Sequence, residues 1–261
     1  MSVMQRNPDM KTAATIGNWV LACTLLTSIA QVFGQVETSE SITAPDLPRN
    51  REPIRPVQTK VTAHGISAAV TCDGKLLVSS NGTDWTEVRL GLRAFVRGIT
   101  YGAGLFVAVG GSYIDQPGVI LTSADGAKWT VRRSGTGANL YGVAHGNGTF
   151  VAVGEKHTVL TSKNGILWKR RTTRTSDVLL ASVAFGKGAF VAVGDCGAVL
   201  TSTDAICWQP RSSGTSAYLS KVRFEAGAFV TTGGADLSAS NSTVSPGLRE
   251  ETSSRLVLPD L

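Results

Sequence analysis

Between Val57 and Gly234 short apolar runs alternate with turn residues, and the clearest instance is Leu140 to Arg171, LYGVAHGNGTFVAVGEKHTVLTSKNGILWKRR. It divides into four runs: Tyr141 to His145, Thr149 to Val153, Thr158 to Ser162 and Trp168 to Arg171. Each is too short for a helix and is rich in Val, Thr, Phe or Trp, which suit a pleated, half-buried surface. Gly146-Asn147-Gly148 and Asn164-Gly165 separate the runs, and both supply residues that tolerate the left-handed backbone of a hairpin turn. The pattern predicts four antiparallel strands.

The stretch recurs. Trp85, Trp129, Trp168 and Trp208 lie 44, 39 and 40 residues apart, while Phe106, Phe150, Phe190 and Phe229 keep step at 44, 40 and 39. Four strands in such a period form one blade of a β-propeller, a unit that buries both faces only when neighbours stack on it. The fold class is therefore all-β, a β-propeller of four-stranded antiparallel blades. Copy one, from Val57, is the most worn: Ile66 to Val70 stands where its neighbours have Phe-Val-Ala-Val. Copy two carries extra residues between Gly110 and Gly118, including Tyr113 and Asp115, and insertions in repeats mark loops. A fifth copy begins at Leu219 and stops near Gly234. About four and a half copies leave either an incomplete ring or a five-bladed one completed by Arg255 to Leu258 with a linker strand. The abrupt loss of period in the tail favours a truncated or strained ring.

Composition adds boundaries. Residues 1–34 have the layout of a secretory signal peptide: Arg6 and Lys11, an apolar run from Trp19 to Ala30, then small or polar residues to Gly34. That run is too short to span a bilayer comfortably, so no stable membrane insertion is expected after cleavage. Residues 35–56 read as a Pro-rich linker, 57–234 as the propeller repeats, and 235–261 as a Ser/Thr-rich tail. The expected location is secreted or periplasmic. Cys72, Cys196 and Cys207 are odd in number after cleavage and read as incidental small residues, with no disulfide framework and no metal site. A net charge of +6 does not by itself point to nucleic acid, because partner choice depends on where the charges lie.

The turn before each fourth strand also repeats: Ser79-x-Asn81-Gly82 before Trp85, Ser123-x-Asp125-Gly126 before Trp129, Ser162-x-Asn164-Gly165 before Trp168, and Ser202-x-Asp204-Ala205 before Trp208. The Asp or Asn side chain can accept backbone N–H groups ahead of it, and Ala205, standing in a glycine's place, should strain its turn. The motif resembles the Asp-box of bacterial-neuraminidase-type (BNR) repeats, found in sialidases, other glycoside-hydrolase propellers, sortilin-like receptors and photosystem II assembly factors, though one residue shorter than usual. Secreted bacterial proteins repeating Gly-Asn-Gly-x-Phe-Val-Ala-Val-Gly and Thr-Ser-x-Asp-Gly-x-x-Trp resemble it more closely. The resemblance implies that these Asp and Asn residues are structural, not catalytic.

Ligand chemistry is expected on the opposite face, where second-to-third turns and blade links gather. Tyr113, Asp115, Glu155, Lys156, His157 and Asp195 vary there from copy to copy over a constant scaffold, which is where binding residues concentrate. His157 has no evident acidic partner in sequence, and His145 falls on a first strand as a core or rim residue. Arginines three positions beyond Trp (Arg132, Arg171, Arg211) guard an outer edge strand or form a basic belt. No convergent catalytic set appears, and Ile54-Arg55-Pro56 has the letters of the sialidase Arg-Ile-Pro motif in the wrong order. The expected function is a non-catalytic binding or scaffold propeller for a protein or carbohydrate partner, with no cofactor. The alternatives are a sialidase-like glycoside hydrolase and an assembly factor for a membrane complex.

Overall fold

The computed structural model describes residues 57–90, 94–112, 118–173, 177–234 and 254–258, all within one compact unit, Val57–Leu261. The expected signal peptide (1–34), the linker (35–56), most of the tail, and the loop bearing Tyr113 and Asp115 lie outside the described residues.

Five antiparallel sheets follow one another. The first holds β1 (Val57–Ala63), β2 (Ile66–Thr71), β3 (Leu76–Ser79) and β4 (Thr86–Glu87); the second β5 (Phe95–Gly102), β6 (Leu105–Gly111), β7 (Val119–Ser123) and β8 (Thr130–Arg132). The third holds β9 (Leu140–Gly146), β10 (Thr149–Gly154), β11 (Val159–Ser162) and β12 (Lys169–Arg171); the fourth β13 (Leu180–Gly186), β14 (Ala189–Gly194), β15 (Val199–Ser202) and β16 (Gln209–Arg211). In the fifth, β17 (Leu219–Glu225) and β18 (Ala228–Gly233) are joined by β19 (Ser254–Val257), so the tail does supply a third strand. The partner strand expected from the linker lies outside the described residues.

Every residue of β10 and of β14 is buried, which is why those strands read as unbroken apolar runs. The core is not one mass but four layers, each between consecutive blades. Val70 and Ala68 pack with Phe106 and Ile99; Val107 and Val109 with Phe150 and Val143; Val151 and Val153 with Phe190 and Trp208; Val191 and Val193 with Phe229 and Val222. In blades two to five an aromatic pair faces the preceding blade: Tyr101 with Phe106 at 4.8 Å between ring centroids, His145 with Phe150 at 4.4 Å, Phe185 with Phe190 at 4.7 Å, Phe224 with Phe229 at 5.0 Å. His145, Phe185 and Phe224 lie over Gly102, Gly146 and Gly186 of the blade before, where any Cβ would meet the ring. His145 is thus a packing residue, and burial holds its imidazole below the ordinary histidine value.

The seam between fifth and first blades is built differently. By the same register the first blade turns Thr62 and Ser67 toward it, hydroxyl to hydroxyl at 2.9 Å, where the others have their aromatic pair. The fifth blade offers Glu225 where the others have Gly102, Gly146 and Gly186. Among the described residues no hydrophobic layer spans this seam. Lys221 Nζ instead donates to the Gln58 carbonyl at 2.8 Å, which places the fifth blade beside the first. The ring expected to be truncated or strained is bridged by a lysine.

The third-to-fourth turns form as their residues require. One Oδ1 accepts two successive backbone N–H groups in each blade: Thr83 and Asp84 for Asn81, Ala127 and Lys128 for Asp125, Ile166 and Leu167 for Asn164, Ile206 and Cys207 for Asp204. The serine two residues earlier donates its hydroxyl to the same atom at 3.0–3.1 Å. The indole N–H of Trp129 and of Trp168 donates to the Gly126 and Gly165 carbonyls at 2.8 and 2.9 Å. In the fourth blade Ala205 takes a left-handed φ of 61°, and the bond from Trp208 lengthens to 3.3 Å. An Ala held there costs about 1 kcal/mol.

Those N–H bonds hold the Asp125 and Asp204 carboxyls below the ordinary aspartate value, the Lys128 N–H foremost for the first and the Cys207 N–H for the second. A depressed folded value favours the folded state above the unfolded value, and the benefit is lost as pH falls through the folded one. Asn81 and Asn164 make the same bonds without titrating. In Asp125→Asn with Asp204→Asn, the thermal midpoint should therefore fall less steeply than in the parent as pH drops below about 4.

The arginines after each Trp have a specific partner. Arg132, Arg171 and Arg211 donate Nε to the hydroxyls of Thr122, Thr161 and Thr201 at 2.8, 2.8 and 3.2 Å, tying fourth strand to third. In the first blade both positions are apolar, Val88 and Val78, which pack together with one hydrophobic layer. These three arginines brace the blades while keeping their charge, and Arg211 is exposed together with Arg89, Arg133 and Arg170. Among the described residues Cys72, Cys196 and Cys207 form no disulfide.

Candidate functional site at the channel mouth

Each innermost strand begins with the same irregularity. Pairing skips one residue between Val57 and Thr59, between Val96 and Gly98, between Leu140 and Gly142, between Leu180 and Ser182, and between Leu219 and Lys221. A bulge re-aims the side chain it carries. The re-aimed residues are Gln58, Arg97, Tyr141, Ala181 and Ser220, one per blade, at the end of the ring where second-to-third turns emerge. A glycine ends the partner strand in blades two to five, Gly110, Gly154, Gly194 and Gly233, because a Cβ there would overlap the carbonyl of Phe95, Asn139, Leu179 or Tyr218. Gly98 and Gly142 let adjoining inner strands approach closely: a Cβ on Gly98 would lie 3.0 Å from the Tyr141 carbonyl.

Around this ring the third blade builds a rigid group. Glu155 accepts the Tyr141 hydroxyl at 3.0 Å on Oε1, the Asn139 side-chain amide at 3.0 Å on the same oxygen, and the Asn139 backbone N–H at 3.1 Å on Oε2. The Glu155 N–H returns to the Asn139 carbonyl at 3.0 Å. With both carboxylate oxygens engaged, Glu155 is a strut that fixes Tyr141. From the second blade, Arg97 lies over the Phe95 ring at 4.5 Å. From the fifth, the Tyr218 phenol is raised above the ordinary tyrosine value, chiefly by burial and further by the Asp195 carboxylate, with Arg97 acting in the opposite direction. The Tyr218 phenol is thus under the influence of charged groups from two other blades. Burial also pulls Lys221 below the ordinary lysine value, assisted by Arg223 and opposed by Cys72. Arg97, Asn139, Tyr141, Glu155, Asp195 and Tyr218 are all half-buried, reachable yet held.

The residues expected from sequence divide. Glu155 and Asp195 stand at this mouth. Lys156 is exposed beyond it, and His157 turns outward, its Nδ1 3.2 Å from Asp177 Oδ1. The sequence pattern shows no acidic partner for His157; Asp177 comes from the link to the next blade. Tyr113 and Asp115 lie outside the described residues. Arg97, Tyr141, Asn139 and Tyr218 do not stand out as a group in the sequence, because Arg97 and Tyr141 are distinguished only by the bulge, and Asn139 and Tyr218 only by standing just before an inner strand. Among the described residues no three His, Cys, Asp or Glu side chains are grouped to hold a metal ion.

No family model and no curated protein matches the chain. Solved structures do. YCF48 bound to a D1 peptide is similar with a TM-score of 0.53 at 16% identity, over 69% of this chain and 61% of that one. Virginiamycin B lyase from Staphylococcus aureus is similar with a TM-score of 0.58 at 10% identity, over 67% and 62%. YCF48 from Cyanidioschyzon merolae gives 0.50 at 18%, over 78% and 71%. The fold is a β-propeller. The chain spans about three-fifths of the length of the first two, and identities this low speak for the fold alone.

Proposed function

We propose that this propeller is a non-catalytic binding protein, secreted or periplasmic, that captures a segment of a partner protein at the channel mouth. The observation that carries the reading is the convergence of Arg97, Tyr141, Asn139 and Tyr218 from three blades, with Glu155 spent as a strut. Tyrosine and arginine held half-buried in fixed positions give up little side-chain entropy on binding and dominate protein recognition sites. A structural neighbour is seen with a peptide bound, which agrees with this reading. A partner in a membrane complex would fall within it.

The test does not require the partner to be identified. Peptides selected by phage display on the whole protein are expected to bind about tenfold or more weakly to Arg97→Ala and to Tyr141→Phe, and unchanged to Arg133→Ala on the outer rim. Selected peptides indifferent to both mouth substitutions would overturn the proposal.

One observation favours a second reading, a sialidase-like hydrolase: the Tyr141–Glu155 pair, a tyrosine with a supporting glutamate. Release from aryl glycosides that disappears in Glu155→Gln would establish it. The arrangement supports binding better, because Glu155 is held by Asn139 and Tyr141 as a structural acceptor.

A further inference from the structure

The opposite face carries a feature that the mouth does not explain. At the tips of the third-to-fourth turns the two residues before Trp are Thr83-Asp84 in the first blade and Ala127-Lys128 in the second, but Ile166-Leu167 and Ile206-Cys207 in the third and fourth. Leu167 is 73% exposed and Ile206 50%. Neither can withdraw, since the backbone N–H groups of Leu167 and Ile206 are fixed to Asn164 and Asp204. Exposed apolar side chains scattered singly carry no meaning, but two rigid ones lining one cavity do.

Between these tips runs a groove of about 280 Å³ whose lining includes Leu167, Ile206, Lys163, Lys169, Arg171 and Asp204. Lys163 is anchored, its ammonium donating to the Thr149 hydroxyl at 2.7 Å, and Arg171 is braced on Thr161. Asp204 accepts the Ser202 hydroxyl and two backbone N–H groups on Oδ1, which fixes its carboxylate in the turn. Three cations against this one carboxylate leave the groove positive beside its two aliphatic tips.

We propose that this groove is a second docking site, for an extended protein segment that seats aliphatic or aromatic side chains between Leu167 and Ile206 and flanks them with Asp or Glu. Charge complementarity selects the acidic flanks. The lining offers a saccharide no aromatic stacking plane, and a concave groove between two tips suits a chain better than a flat lipid surface.

The probe is a fluorescein-labelled peptide in which Leu alternates with Asp and Glu, titrated by anisotropy against the whole protein. Its counterpart has Lys in place of the acids. The acidic peptide is expected to bind and the basic one not. Leu167→Lys with Ile206→Ala, which gives these tips the residues of the second blade, should weaken binding by about tenfold or more although it adds a cation. Because both side chains are exposed, the thermal midpoint should not move. Arg97→Ala should leave this affinity unchanged, which separates the groove from the mouth. Equal binding by both peptides, or by parent and double variant, would overturn the proposal. So would co-sedimentation with phosphatidylglycerol vesicles that the double variant loses, by making the tips a membrane contact.

Discussion

Gly154→Ala is expected to destabilise the protein by about 3 kcal/mol, as far as overpacking by one methyl ordinarily reaches. The added carbon would overlap the Asn139 carbonyl oxygen, a backbone atom that no side-chain rotation can move aside. That carbonyl is also pinned by the Glu155 N–H, so relief requires shifting the bulge itself. The damage should extend to function, because the same bulge aims Tyr141 at the mouth. Chemical denaturation against Gly137→Ala, where a Cβ meets nothing within 4 Å, isolates the effect. Equal midpoints for the two variants would show that the bulge is soft and that the recurring glycine has another cause.

Phe150→Ala should cost as much or more, about 3–5 kcal/mol. Phe150 is fully buried, pairs with His145 and fills the layer between second and third blades together with Val107 and Val109. Trp168 flanks it at 6.3 Å, so removal opens a cavity walled by rings that cannot collapse easily. The first blade has Ser67 at the corresponding place without penalty, because there the facing surface belongs to the lysine-bridged seam. A calorimetric loss for Phe150→Ala no larger than that of an exposed control such as Arg133→Ala would contradict the layered core.

The strands and turns were legible because each is determined locally and printed several times. Phe106, Phe150 and Phe190 mark the buried second strands, and Asn81, Asp125, Asn164 and Asp204 each fold their own turn. The mouth was not legible, because Arg97, Tyr141 and Tyr218 lie on different blades, and the direction of Arg97 and Tyr141 depends on a one-residue bulge that alternation does not encode. Glu155 and Asp195 could be named because they follow a recurring glycine, but not the Tyr141 hydroxyl that Glu155 accepts. His157 and Asp177 are separated in sequence by two strands, β11 and β12. A readable signal did exist for the Arg–Thr ties: Val88 and Val78 replace both partners together in the first blade, a paired exchange within one chain. The rim arginines read as guards of an edge strand or as a basic belt, because sequence shows charge without showing the Thr hydroxyls that position it.

The lysine closure decides where the ring can absorb misfit. Where an aromatic ring sits on a glycine, the angle between modules is dictated by shape; Lys221 reaching a carbonyl imposes no comparable fit. Small errors of angle accumulated over the shaped joints are therefore taken up at the one joint held by a long, flexible side chain.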